Sequence, residues 1–365
     1  MQSTLFPRSF LTIRLSRLFF KGFRIGLLYF LPNLIYVSAS IAAPMPSSEE
    51  VLNLVGISRE QIAKLHQGEI IAHDIPEATG KELAMSIAIY LPVAIENIVE
   101  YIKNGDLLAI DPDITAHGEI SKNAKALNFK EFAFSEKQHD EAVDLLNSEA
   151  GDHFNLSNQE ITSFASIRNT LSSADKKALT EIVSQKYREM LLQRCQAYQI
   201  YGLAGITAYS RENGVVDPAS ELRIATENNK LLVQFFPELF RGLINYPVGL
   251  PSGIEEHFHW INREIENRPT AILVHRIHLA TKTGALIVAR EFYVGHSYNS
   301  SHLIVGALPY RDGTLVFYGQ RTSTDQVTGM ASGLRHNIGR EQMKEQMVLR
   351  LKQLSKTVQK ASKAD

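Results

Sequence analysis

The stretch TAILVHRIHLATKTGALIVAREFYVG, residues 270–295, is the most telling part of this chain. It is rich in β-branched and aromatic residues and is broken once, at Lys282-Thr283-Gly284. That composition and spacing predict two antiparallel strands, 270–281 and 285–295, joined by a tight turn. SHLIVGALP (301–309) and TLVFYGQRT (314–322) continue the pattern across a second turn at Arg311-Asp312-Gly313, giving a four-strand meander. From 325 to 358 the period changes to a helical one. Val327, Met330, Leu334, Ile338, Met347, Leu351, Leu354 and Val358 form one stripe, opened by a capping-box pattern at Ser323 and Gln326.

Upstream, Ser48–Leu65 reads as a short helix, Gly68–Ile75 as a strand and Leu83–Leu91 as a strand closed by Pro92, with a helix over Val93–Ile102. Phe129–Phe134 has a strand-like aromatic spacing, and Phe154–Leu156 is a weaker strand. The polar segment between them suits a helix. Ser173–Tyr201 carries a 3.6-residue stripe ended by Gly202. Asp217-Pro218 pairs an N-cap with proline at the first helical position, which starts a helix running to about Phe235. Pro237–Ile244 and Gly253–Ile265 read as two further helices, the first stopped at Tyr246-Pro247.

At 365 residues, 44% hydrophobic, 21% charged and a net charge of −1, the chain has a globular composition. Near-neutral charge argues against a nucleic-acid binder. A single cysteine, Cys195, excludes an intrachain disulfide framework and any multi-cysteine metal site. Residues 1–42 differ from the rest. Arg8, Arg14, Arg17, Lys21 and Arg24 precede an apolar run from Ile25 to Ala43, no acid occurs before Glu49, and Ser40-Ile41-Ala42 has the small residues a signal peptidase reads. We read it as a signal peptide cleaved after Ala42, with a membrane anchor as the alternative. Either places the remainder across the cytoplasmic membrane, periplasmic or membrane-anchored.

An opening strand, a strand–proline–helix step (SIAIYLPVAIENIV), a meander and one long final helix make an α+β order. This order resembles the START-like, or helix-grip, superfamily. That resemblance implies a curved antiparallel sheet gripping the C-terminal helix, with an apolar or amphipathic ligand held between them. The divisions expected are the export segment 1–42, an N-terminal part 43–156, a helical insertion 157–265, and the meander plus helix 266–365. The chain is also similar to a group of exported bacterial proteins of no assigned activity. The shared features are Tyr246-Pro247, Trp260, the run Tyr293-Val294-Gly295-His296-Ser297-Tyr298, and Arg321-Thr322-Ser323-Thr324-Asp325. That likeness implies a cysteine pair near position 150, where this chain reads Ser148-Glu149-Ala150-Gly151-Asp152.

No catalytic motif is present. Placing the first meander turn at Thr283-Gly284 sets Arg276 opposite Glu291 and puts Leu273, His275, Ile277, Leu279, Val288, Arg290, Phe292, Val294 and His296 on one face. Arg290, His275 and His296, with Phe292, are the candidate ligand-binding residues on that face, expected to point at the C-terminal helix. Arginine suits an anionic headgroup because its fork binds two oxygens; a structural role paired with an acid from a covering helix is the competing reading. Gly329, Ala331, Ser332 and Gly333 either permit close packing or leave room for a ligand, so Gly333 joins the candidates. Six of the twelve histidines fall between 257 and 302. On a helix Glu255 and His259 would share a face while His257 points elsewhere, and no metal or other cofactor is assigned. The function expected is non-catalytic binding of a lipid-like molecule, with the membrane surface as a further partner. A cavity enzyme using His275 or His296 as acid/base, and an envelope scaffold, are the alternatives.

Overall fold

The computed structural model describes residues 45–104, 107–171 and 174–361. The expected export segment, 1–42, lies outside them. In chain order come α1 (Ser48–Leu54), α2 (Arg59–His66), β1 (Ile71–Asp74), β2 (Glu82–Leu91), α3 (Ile95–Asn104) and β3 (Ile114–Ile120). A second group holds α4 (His139–Leu146), α5 (Asn158–Arg168), α6 (Lys176–Tyr201), β4 (Tyr209–Arg211), β5 (Gly214–Val216), α7 (Pro218–Glu227), α8 (Lys230–Phe235) and α9 (Pro237–Ile244). The chain closes with β6 (Glu255–Ile265), β7 (Arg268–Thr281), β8 (Gly284–Val294), β9 (Ser300–Tyr310), β10 (Gly313–Ser323) and α10 (Ser332–Ala361).

The fold is α+β. Eight strands form one antiparallel sheet in the order β1-β2-β10-β9-β8-β7-β6-β3, and β4-β5 is a separate ribbon. Helices cover both sides. On what we call the front face, α3 and α10 pack over Met85, Ile87, Ile89, Ile287, Ala307 and Val316. On the back face, α8 and α9 cover Ile277, Leu279, Leu286, Val288 and Ile304. The long α6 lies on the same side, where Tyr187, Leu191 and Tyr198 meet Phe258, Trp260 and Phe292. Strand β8, covered on both faces, is buried along its whole length. Among the described residues no helix is long and apolar enough to cross a membrane.

Several elements differ from expectation. Gly253–Ile265 is not a helix: Glu255–Ile265 is strand β6, paired with β7 on one side and β3 on the other. Its apolar residues serve two faces, with Phe258 and Trp260 on the back and Ile261 on the front, which imitates helical spacing. Phe129–Phe134 is a 3₁₀ turn and a loop, not a strand. Its phenylalanines are spaced for packing, Phe132 lying edge-on to Tyr187 and Trp260 with ring centroids 5.4 and 5.6 Å apart. Phe154–Leu156 is not a strand either. The first helix is two helices, because Gly56 turns at φ 75° and Ser58 caps a new start. Asn229 likewise caps α8 and separates it from α7.

The meander strands stand where the sequence put them, but the first hairpin turns one residue earlier, at Lys282-Thr283, which shifts the cross-strand pairing by two. Thr281 pairs with Gly284, His275 with Arg290 and Arg276 with Ala289, so Arg276 and Glu291 are not directly opposed. A shift of two leaves each of these side chains on its expected side. A bulge between Leu273 and Val274 ends that register, and Phe292 and Tyr293 both join the back-face core.

The expected stripe of the last helix holds only in its second half. Met343, Met347, Leu351, Leu354 and Val358 are buried against β2 and its neighbours, whereas Met330, Leu334 and Ile338 are 91%, 63% and 50% exposed. Val327 is buried in a 3₁₀ turn ahead of the helix, and Thr324, not Ser323, caps that turn. The exposed half is held by polar contacts instead: Arg340 and His336 reach Glu77 at 2.9 and 3.3 Å.

Candidate functional site

Between the front face and the α3/α10 pair lies a cavity of about 140 Å³. Ile98 and Ile102 of α3, Ile287 and Ala289 of β8, Val305 and Ala307 of β9, and Leu351 and Leu354 of α10 line it. It exists because Ala289 and Ala307 are small where neighbouring front-face positions carry larger side chains. One end is charged. Asp111 Oδ2 lies 3.1 Å from Arg263 Nε and 2.9 Å from Arg350 Nη2, and Arg263 Nη1 lies 3.1 Å from Glu291 Oε1. Tyr298 donates to Glu291 (2.6 Å), and Arg350 donates to the Tyr318 hydroxyl (3.2 Å). Two guanidinium groups therefore face two carboxylates, almost wholly buried. Arg263 and Arg350 also border a wider cleft of about 690 Å³ beside the N-terminal half of α10, lined by Arg335, Ile338, Gln342 and Tyr298.

The sequence did not single out this charged end. Its members come from β6, β8, α10 and the loop before β3, and no local spacing connects them. Glu291 drew notice only as a supposed partner of Arg276.

Arg290 and His275 share one face, as expected, but it is the back face. They point at α6, α7 and α9, not at the C-terminal helix. Alternation told which residues go together; it could not tell which helix covers them, because both faces are apolar. Cross-strand pairing extends the pair into a row, His275–Arg290–His302–Arg321, spanning β7 to β10. Arg290 donates to the Leu243 carbonyl (2.8 Å) and to Thr226 Oγ1 (3.0 Å). Arg321 donates to Glu82 (2.8 Å) and to the Asn228 carbonyl (3.1 Å). Leu243 and Thr226 lie in the last turns of α9 and α7, and Asn228 caps α7. Helix C-termini leave carbonyls unpaired and carry partial negative charge, so they stabilise buried cations, at Arg290 without a carboxylate and at Arg321 beside that of Glu82. Arg290 borders neither of the cavities above.

His275 is fully buried. Its Nδ1 lies 3.0 Å from the Tyr198 hydroxyl and its Nε2 lies 3.3 Å from Glu256 Oε2. Burial pushes its pKa down to about 4, although Glu256 pulls the other way. His275, whose Nε2 lies 3.3 Å away, and then Lys122 hold Glu256 down at about 2 despite its burial. His296 follows β8 in a loop, between Thr270 Oγ1 (2.8 Å) and Ser297 Oγ (2.7 Å), and burial with Arg268 nearby pushes it to about 3. Phe292 stacks on Tyr198, centroids 4.1 Å apart, as part of the back-face core. Gly333 has open space around it, and the close-packed glycine of this helix is Gly339, against Leu83. Of the five candidate residues, Arg290, His275 and Phe292 are brought together, while His296 and Gly333 lie apart from them.

The motifs that carried the likeness to exported proteins serve as internal fastenings. Tyr293 bonds Tyr187 (3.0 Å), Tyr298 bonds Glu291, and Asp325 is clasped by Lys81 (2.7 Å) and Arg211 (3.0 Å). No protein-family model matches this sequence, and no curated protein matches it.

Because residues 255–265 form a strand, the histidines are arranged differently from the helical expectation. Glu255, His257 and His259 all project to the front face. There they meet His278 and Arg276 of β7 and His117 and Glu119 of β3, and all of these but Glu255 border a groove of about 410 Å³.

Proposed function

We propose that this chain is an exported, non-catalytic domain of the START-like, helix-grip kind, which binds an apolar or amphipathic, lipid-like molecule between its sheet and its C-terminal helix. The observation that carries this reading is the aliphatic cavity under α3 and α10, closed at one end by the Asp111–Arg263–Glu291–Arg350 cluster. Binding sites of this kind are largely apolar with a few convergent polar groups. The cavity's size resembles that of an engineered apolar cavity of roughly 150 Å³ that admits benzene. It therefore accepts a short hydrocarbon segment, with the rest of the ligand in the neighbouring cleft. The charge-balanced cluster favours an uncharged or zwitterionic head over a bare anion. The basic, then apolar, residues 1–42 support export, and the membrane surface is the natural source of such a ligand.

One observation favours the enzyme alternative: His275 has the Glu256 carboxylate on one nitrogen and the Tyr198 hydroxyl on the other. An oriented histidine is what acid/base catalysis needs. It lies on the back face, away from the cavity, which leaves ligand binding as the better-supported reading.

The test is to purify the full chain from its native host, extract it with organic solvent and identify bound molecules by mass spectrometry. A stoichiometric amphiphile is expected, and Ala289→Phe, which fills the cavity, should lose it while remaining folded. Absence of any co-purifying amphiphile, or equal retention by Ala289→Phe, would overturn the reading.

A further inference from the structure

We propose that Glu255, His257 and His278 form a binding site for a divalent transition-metal ion of the zinc, nickel or copper class, on the front face at the β6–β7 end of the sheet. The site stands independently of the ligand-binding reading.

The strand pleat assembles it. Glu255 and His257 are two residues apart on β6 and so project to the same side. His278 lies directly opposite Glu255 on β7. One ligand atom from each of the three lies within 4.8 Å of the others. A tetrahedral zinc ion with bonds of about 2.0–2.1 Å needs its donors roughly 3.3 Å apart. Side-chain rotation supplies the difference, since Glu255 is exposed and His257 is about one-third exposed, while His278 is held in place by burial.

Two further observations point to a ligand. His278 is only 9% exposed, and its Nε2 is buried without a hydrogen-bond partner; the same holds for Nδ1 of His259, two residues beyond His257. Buried polar atoms are almost always satisfied, so an imidazole nitrogen left bare at the wall of a groove marks a place where something else binds. Second, His257 is bracketed. Its Nε2 lies 3.8 Å from Glu255 Oε2 and its Nδ1 lies 3.9 Å from Glu119 Oε1. Metal-bound histidines commonly present their other nitrogen to a carboxylate, which fixes the ring and raises its basicity. Glu119 is placed for that role, with Glu255 as the ligand on the opposite side.

The charges around the three donors suit a cation. Glu255 and Glu119 offset the ion's charge against Arg276, which lies opposite His257. Two imidazoles and one carboxylate select zinc, nickel, cobalt or copper over magnesium and calcium, which prefer all-oxygen sets. Three protein donors at an open groove leave a coordination position for water or an exogenous group.

The experiment uses the full chain without a polyhistidine tag, treated with chelator and titrated at pH 7.5 with Co²⁺, and with Zn²⁺ in competition. One equivalent of Co²⁺ should bind with visible ligand-field absorption, and Zn²⁺ should displace it. His257→Ala and Glu255→Gln should each weaken binding at least tenfold, and His139→Ala, in a distant helix, should not. His278→Ala should also abolish binding; if it fails to fold, the two more exposed positions decide. No stoichiometric binding, or binding unaltered in both His257→Ala and Glu255→Gln, would overturn the proposal.

Discussion

His302 is the residue with the least local justification. It is 1% exposed, both ring nitrogens lack partners, and its strand neighbours on either side are Arg290 and Arg321. Burial first, then those two cations, hold its pKa well below the usual histidine range. A neutral imidazole between two guanidinium groups adds no third charge to the row, which explains why this residue type is tolerated there. Its unpaired nitrogens still carry a desolvation cost of about 1–3 kcal/mol. His302→Leu, similar in volume and free of polar atoms, should leave the fold intact and raise stability by about 1 kcal/mol. Urea denaturation would measure this, and a loss of several kcal/mol would mean that the ring is bonded in a way the geometry does not reveal. The grouping of Arg290 with His275 was legible from alternation alone. His302, Tyr198 and Glu256 joined them only through pairing across strands and packing against α6.

At the scale of elements, the last helix behaves as two pieces. Its second half buries residues at spacings of three and four against β2, each worth roughly 1.5–3 kcal/mol when fully buried. Its first half stands clear and forms a wall of the open cleft. Leu334→Asp should therefore change stability by less than about 0.5 kcal/mol, as surface substitutions generally do. Leu351→Asp should unfold the domain, because an unpaired carboxylate at that position exceeds the whole margin of stability. Circular dichroism melts of the two variants would distinguish them, and equal melting temperatures would contradict this division. The periodicity of 325–358 was visible in sequence, but it could not reveal how far the sheet extends beneath the helix. Strand β3, ITAHGEI, alternates Ile114, Ala116, Gly118 and Ile120 with exposed Thr115, His117 and Glu119, but its inward residues include the small Ala116 and Gly118, too weak a pattern to stand out in the sequence. Its place at the edge of the sheet, paired only with β6, allows that.

Across the whole molecule, histidine burial sets the response to acid. His259, His278 and His296 are pushed to about 3 and His275 to about 4, and His302 is also held well below its ordinary value. In the unfolded chain each titrates at about 6.5. Their folded values are depressed, so the unfolded state binds more protons, and stability is lost as pH falls below that value. Glu256, held at about 2, acts in the same direction at lower pH. Glu221, raised to about 7 by burial despite bonds from Asn299 and Ser300, opposes them. It contributes stability below its ordinary value near 4.5 and loses it as pH rises through 7. Five groups outweigh one, and the unfolding free energy measured by urea titration should fall steeply between pH 7 and 5, by several kcal/mol in all. A flat midpoint over that range would show that these histidines are solvated.

The sequence by itself determined the meander, the last helix, the α+β class and most helices of the middle segment. Each of these rests on local periodicity, turn residues and caps within about ten residues of one another. Only the tertiary structure decided which helices lie on which face, that 255–265 is a strand, and that the polar residues of β6, β8 and α10 meet at one cavity. A strand buried on both sides carries no sign of its orientation. Convergence of side chains from distant elements is set by pairing and packing across the sheet, to which no short stretch of sequence corresponds.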